Sequence, residues 1–239
     1  MALEGGVALV TGATGGIGEA IVGTLVAAGM QVCITGRTQE HLDKLAADRQ
    51  WSRQVEPFAV DLTAREAVQG FCDWIRHRHR AIHVLVHAAG AIVPGPIGDS
   101  RLDDFDRQYQ INVRAPYQLT QELLPQLALG MGQIVFINSS AGLHAREGIA
   151  QYAATKHALR ALADSLRMEM NEKGIRVLSV FLGRTATAMQ AAVHAHEGES
   201  YRPERLVQPD DVASVVASAL LLPRTAEITD ISIRPMLRA

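Results

Sequence analysis

Lysine is scarce in this chain, with 3 residues against 20 arginines. Cysteine is scarcer, with 2, and Phe, Trp and Tyr together make up only 5%. So few cysteines exclude a disulfide framework, and Cys33 and Cys72 lie far apart with no CxxC spacing, so no zinc signature arises from them. Both read as core thiols. Neither sign of charge prevails: 23 Lys plus Arg stand against 25 Asp plus Glu, a formal net charge of -2. The basic footprint that a phosphate backbone selects is therefore missing, and nucleic acid is not expected as a partner. Long hydrophobic runs are also absent. The first run, Val7 to Val10, meets Thr and Gly at once and has no basic stretch before it, so neither a signal peptide nor a membrane partner is expected and the chain reads as cytoplasmic. No fixed-period repeat and no Pro- or Ser-rich linker divides the chain, and residues 1–239 are read as one domain.

What is present is a series of short Val- and Ile-rich runs with helical segments between them. VALV at 7–10, QVCIT at 31–35, EPFAV at 56–60, IHVLVHA at 82–88, QIVFIN at 133–138 and RVLSVFL at 176–182 read as strands, with 228–233 as a seventh. Near-continuous apolar strands separated by helices describe an α/β, doubly wound, Rossmann-type parallel sheet covered on both faces. Helix signals cover 16–28, 38 onward, 149–171 and 210–223, and Thr63 with Glu66 three residues later spells a capping box. The stretch 183–208 breaks the rhythm. At that length, between a strand and a helix, it is expected to be a lid over a substrate.

The first strand runs into TGATGGIG, which holds Gly12, Thr14, Gly16, Ile17 and Gly18, and a helix starts inside it. Strand, glycine turn and helix in that order let backbone N–H groups and a helix N-terminus hold a pyrophosphate. The plainer alternative is a glycine-rich turn with no ligand. Gly36 and Arg37 end the second strand, where dinucleotide folds read the adenosine ribose. An Asp there would repel a 2'-phosphate, whereas Arg37 can pair with one, which favours NADP(H). Tyr152 and Lys156 are four apart on a helical stretch and share one face. An unperturbed phenol titrates near ~10, and a neighbouring ammonium is expected to lower that value and make Tyr152 a usable acid or base.

The glycine spacing, TGxxxGxG, resembles the short-chain dehydrogenase/reductase family in its short single-domain form. Asp61 and Leu62 look like the family's adenine-side pair. Ala89 and Gly90 match the end of its Asn-Asn-Ala-Gly segment, although His87 and Ala88 replace the two amides; His87 is read as a structural histidine. The resemblance implies that Tyr152 exchanges a proton with the substrate oxygen and that Lys156 also binds the nicotinamide ribose. It further implies that Ser139, in preference to Ser140, orients that oxygen, and that Asn112 completes a proton relay. In LGRTAT, Gly183 and Thr187 match a further cofactor-binding segment, with Leu182 in place of its Pro. The expected function is an oxidoreductase passing a hydride between NADP(H) and a ketone or secondary alcohol, as a homodimer or homotetramer. A non-catalytic dinucleotide-binding module, or a lyase or epimerase on the same fold, is the alternative. RHRHR at 76–80 reads as a solvated helix end. His194, His196, Glu197 and Glu199 are too loosely spaced to predict a metal, and none is expected.

Overall fold

A computed structural model describes residues 3–237. Its centre is one sheet of seven parallel strands, β1 (Val7–Thr11), β2 (Gln31–Gly36), β3 (Val55–Ala59), β4 (Val84–His87), β5 (Gln133–Ser139), β6 (Arg176–Leu182) and β7 (Asp230–Ile233). Their spatial order is β3-β2-β1-β4-β5-β6-β7. The order reverses between β1 and β4, and a crevice opens there at the carboxyl ends of the strands.

Alternation along each strand sorts the core into two layers. Ala8, Val10, Val32, Ile34, Val84 and Val86 face one side, packed against α1 (Gly16–Ala27), α2 (Gln39–Asp48) and α8 (Pro209–Leu220). Leu9, Cys33, Leu85, Ile134 and Phe136 face the other. That side is covered by α3 (Arg65–Arg78), α5 (Ala115–Leu129) and α6 (Ala150–Met170). Leu119, Leu123 and Leu127 bring one stripe of α5 to the sheet, each with no exposed surface. Burial of this kind contributes about 2 kcal/mol per side chain. No described helix is long and apolar enough to cross a membrane.

Two local readings need correction. The capping box at Thr63 does not form, because both the N–H and the hydroxyl of Thr63 donate to Asp61 Oδ1, at 2.9 and 2.8 Å. Asp61 thus closes a turn, and α3 starts later, with Ala64 at its N-cap. A capping box does form at the start of α8, between Gln208 and Asp211. The stretch 183–208 is not simple loop: it contains α7 (Ala188–Glu197), capped by Thr187, whose Oγ1 accepts from the Gln190 N–H at 3.2 Å. At 76–80, Arg76 pairs with Asp73 and Glu122 and Arg78 with Glu56, so this helix end is tied to its neighbours as well as solvated. A short polar helix, α4 (Leu102–Tyr109), runs through a π-helical turn (Gln110–Arg114) directly into α5.

Candidate active site

Glycine makes the first wall of the crevice. Gly12 has φ +69°, and a Cβ there would stand 2.7 Å from Ala89 N and Cα, so the turn after β1 lies directly against the segment after β4. A Cβ at Gly18 would meet the Gly12 carbonyl at 2.3 Å, which keeps α1 close over the turn. Gly15 at the N-cap of α1 offers no side-chain cap, so the first N–H groups of the helix are available to an anion. Thr14, Gly15 and Gly16 are exposed and Ile17 half-buried around this turn. Thr187 stands opposite, with its methyl 3.5 Å from where a Gly16 Cβ would be.

Arg37 follows β2 as an exposed residue, and Gly36 packs against Thr14. Asp61 is exposed after β3, and the hydrogen bonds from Thr63 hold its carboxyl below the usual carboxylate range. Leu62 beside it is half-buried. His87 points away from the crevice. Its Nε2 is 2.9 Å from Thr120 Oγ1 on α5 and its ring stacks on Phe136 at 4.9 Å, while Nδ1 is buried without a partner. Burial lowers its pKa to about 3, so it is a neutral core group.

The second wall comes from β5, α6 and the π-helical turn. Tyr152 is half-buried against Ala141, Ile149 and Ala153, with Ile92 part of the same cluster. Lys156, one turn on, is 4% exposed; its Nζ donates to Ile137 O at 3.1 Å and lies 5.7 Å from the centre of the Tyr152 ring. Burial lowers the ammonium to about 8. It also pushes the Tyr152 phenol up, against an opposing hydrogen-bond interaction with the Ser139 side chain. The expected lowering of the phenol is therefore not what this structure shows, because enclosure by apolar groups outweighs an ammonium directed at the Ile137 carbonyl. Ser139 ends β5 and accepts from the Ala141 N–H at 3.1 Å, whereas Ser140 begins the next short turn and is exposed.

Asn112 is fully buried in the π-helical turn. Its Oδ1 accepts from Ala91 N–H at 2.8 Å, and its Nδ2 donates to Ala91 O at 2.8 Å and to Thr155 Oγ1 at 2.9 Å. A side chain so committed fixes the Gly90–Ala91 segment to α6. The π-turn is a common device at functional sites.

Residues not singled out by sequence complete this wall. Asn138 donates to the Lys156 carbonyl at 3.2 Å and accepts from the Ser139 N–H at 2.8 Å, locking the end of β5 to the Lys turn. Gly142 leaves room for that contact, since a Cβ there would meet Asn138 Oδ1 at 2.7 Å. Buried Gln108 joins Val93 N–H to Gln151 at 3.1 and 2.9 Å. In the sequence Asn138 stands out only as the start of an Asn-Ser-Ser glycosylation sequon beside Ser139, which does not point to this structural role.

Between the walls is a cavity of about 390 Å³, lined by Gly90, Ser139, Tyr152, Lys156, Gly183 and Thr187 among others. Glycine turn, uncapped helix and titratable cluster meet at one crevice, as in dinucleotide-dependent enzymes of doubly wound folds. The profile of the family described as short chain dehydrogenase matches residues 6–198. The chain belongs to this family of oxidoreductases. An uncharacterised short-chain type dehydrogenase/reductase of Sinorhizobium fredii is 32% identical over 234 residues, covering 96% of this chain and 91% of the relative. An uncharacterised oxidoreductase of Staphylococcus aureus is 29% identical, covering 96% and 97%. Among solved structures, a metagenomic short-chain oxidoreductase in complex with NADP superposes with a TM-score of 0.84 at 29% identity over 100% of both chains. A short-chain dehydrogenase of Escherichia coli complexed with NADPH gives 0.88 at 28% identity, covering 97% of this chain and 98% of its own.

Proposed function

We propose that the protein is an NADP(H)-dependent oxidoreductase that interconverts a ketone and a secondary alcohol. The observation that carries this reading is that Ser139, Tyr152 and Lys156 line the same cavity as Gly90, Ile17 and Thr187, so proton-transfer groups open onto the glycine turn. The dinucleotide fits the chain on structural grounds: the turn has no side chain where Gly12 and Gly18 approach backbone, and α1 presents unclaimed N–H groups. Gly12, Thr14, Gly16, Ile17 and Gly18 would hold the pyrophosphate, with Asp61 and Leu62 on the adenine side, Ala89 and Gly90 allowing close backbone approach of the cofactor, and Gly183 and Thr187 toward the nicotinamide end. Bound NADP(H) supplies or accepts the hydride.

The chain's own residues handle the proton. Tyr152 gives it to the nascent alkoxide during reduction and takes it from the alcohol during oxidation. Ser139 donates a hydrogen bond to the same oxygen, aiming the carbonyl. Lys156 holds the nicotinamide ribose, while Asn112 fixes the Gly90–Ala91 segment beside it. Arg37 makes no hydrogen bond or ion pair among the described residues, lies within electrostatic reach of Asp61, and follows a glycine instead of an acid, which supports NADP(H) over NAD(H). Several neighbours crystallised with NADP or NADPH agree with that choice.

The segment 183–208 serves as the substrate lid of a single domain, and it leaves the sheet at Gly183, which packs closely against Arg234 and Pro235. The free, buried thiols Cys33 and Cys72 suit a reducing cytoplasm. Tyr117 on α5 and Met168 on α6, 51% and 77% exposed, support homo-oligomer formation through these helices. A panel of ketones and aldehydes, each mixed with NADPH or NADH and followed by loss of reduced-nicotinamide absorbance, tests the reading. Turnover with NADPH preferred is the expected result; no turnover of any carbonyl compound while NADPH binds would favour the binding-module alternative.

A further inference from the structure

The cavity beside Tyr152 is one-sided in charge. Its lining includes His144, Arg146, Lys156 and Arg184, and among the described residues no Asp or Glu. Two of these cations are already committed. Lys156 donates to Ile137 O at 3.1 Å, and Arg184 is neutralised by Glu197 at 2.8 Å and Glu199 at 3.1 Å. Arg146 differs from both: it is exposed, and among the described residues its guanidinium makes no hydrogen bond or ion pair.

The loop that carries Arg146 is nonetheless held at both ends. The His144 N–H donates to Ser140 O at 2.9 Å, and the Gly148 carbonyl accepts from Gly95 N–H at 2.7 Å. Gly148 takes the left-handed conformation, φ +73°, to turn the chain back toward α6. His144 and Arg146, two apart, both reach the cavity lining, and the exposed Glu147 does not. The rest of the substrate side is apolar, with Ile92, Ile149, Met189 and Val193. A guanidinium without a counter-ion on a cleft with low-dielectric walls attracts anions, and its fork matches a carboxylate.

We propose that the substrate is a small oxo acid, or the corresponding hydroxy acid, and that Arg146 binds its carboxylate while Tyr152 and Ser139 hold the reacting oxygen. The proposal rests on the oxidoreductase reading above and narrows it. In reduction the carbonyl carbon gains a hydride from NADPH, the C=O π bond opens, and the oxygen gains the Tyr152 proton, which solvent replaces; the carboxylate is unchanged. Arg146 and Tyr152 border one cavity of about 390 Å³, so the acids tested first carry their carbonyl a short carbon chain from the carboxylate.

Acetoacetate and 4-oxopentanoate are compared with their methyl esters, which keep the carbonyl and lose the charge. NADPH oxidation is measured for the wild type, Arg146→Gln and Arg146→Lys. In parallel, binding to Tyr152→Phe with NADP+ present is followed by thermal shift, with and without Arg146→Gln. The wild type should prefer at least one acid over its ester by tenfold or more in kcat/KM. Arg146→Gln should collapse that ratio at least tenfold, mainly through the KM of the acid, and Arg146→Lys should restore part of it. Turnover of esters as good as that of both acids, or a ratio that Arg146→Gln leaves intact, would overturn the proposal while leaving the oxidoreductase reading standing. Selective binding of an acid through Arg146 with no turnover of any carbonyl compound would sustain the anion subsite and defeat the oxidoreductase reading.

Discussion

Lys156 shows how little of a residue's role is visible until its surroundings are known. Its spacing from Tyr152 is plain in the sequence, but the depressed ammonium, to about 8, and the raised phenol arise from burial that only the packed site creates. If Tyr152 carries the proton, Tyr152→Phe should abolish turnover while NADPH titration changes little, and retained activity would move the assignment elsewhere. Lys156→Ala should damage both turnover and cofactor affinity. The two serines separate in the same way. Ser139 interacts with Tyr152 and ends the strand, whereas Ser140 is exposed on the next turn. Ser139→Ala should therefore lose about 2 to 4 kcal/mol of transition-state stabilisation, read in kcat, and Ser140→Ala should be mild. The reverse order would shift the reading by one residue. Arg37→Asp, by adding repulsion where a partner stood, should weaken NADPH at least tenfold and NADH much less, as direct titration would show.

Among the elements, the strands were legible because β1, β2, β4, β5 and β6 are apolar runs buried on both faces, while β3 and β7 at the sheet edges are only partly buried, and the bounds differ from the sequence reading by a few residues at most. The path from α4 through the π-turn to α5 was not. α4 is short and mostly polar, with Gln108 its one buried residue, and a π-turn has no sequence period of its own. Asn112 was found through resemblance, yet its three hydrogen bonds to Ala91 and Thr155 became visible only in space. The Thr63 box failed for a local reason, since Asp61, two residues earlier, takes the Thr63 N–H that the Glu66 carboxylate would have accepted. The glycine turn carries its own test. Gly18→Ala places a methyl 2.3 Å from the Gly12 carbonyl, so α1 must move off the turn. NADPH affinity, measured by titration, should fall at least tenfold while far-ultraviolet circular dichroism keeps the helix content; unchanged affinity would separate this turn from the cofactor.

For the whole molecule, His87 couples stability to acid. An ordinary histidine takes up its proton near pH ~6.5 when the chain is unfolded. In the fold, burial lowers the pKa to about 3. The unfolded state therefore binds more protons between these values, and stability present above the upper one is lost as pH falls through the window. The slope from this one group is at most about 1.4 kcal/mol per pH unit. Thermal unfolding followed from neutral pH to pH ~4 should show His87→Asn losing less stability than the wild type, whereas parallel curves would mean that His87 is not the buried neutral group described. The central claim concerns the reaction itself, and isotope transfer tests it most directly. With NADPH deuterated at the transferable nicotinamide position and a carbonyl compound that the wild type accepts, mass spectrometry of the product should find an alcohol with one deuterium on its carbinol carbon. A product without deuterium would contradict hydride transfer from the cofactor.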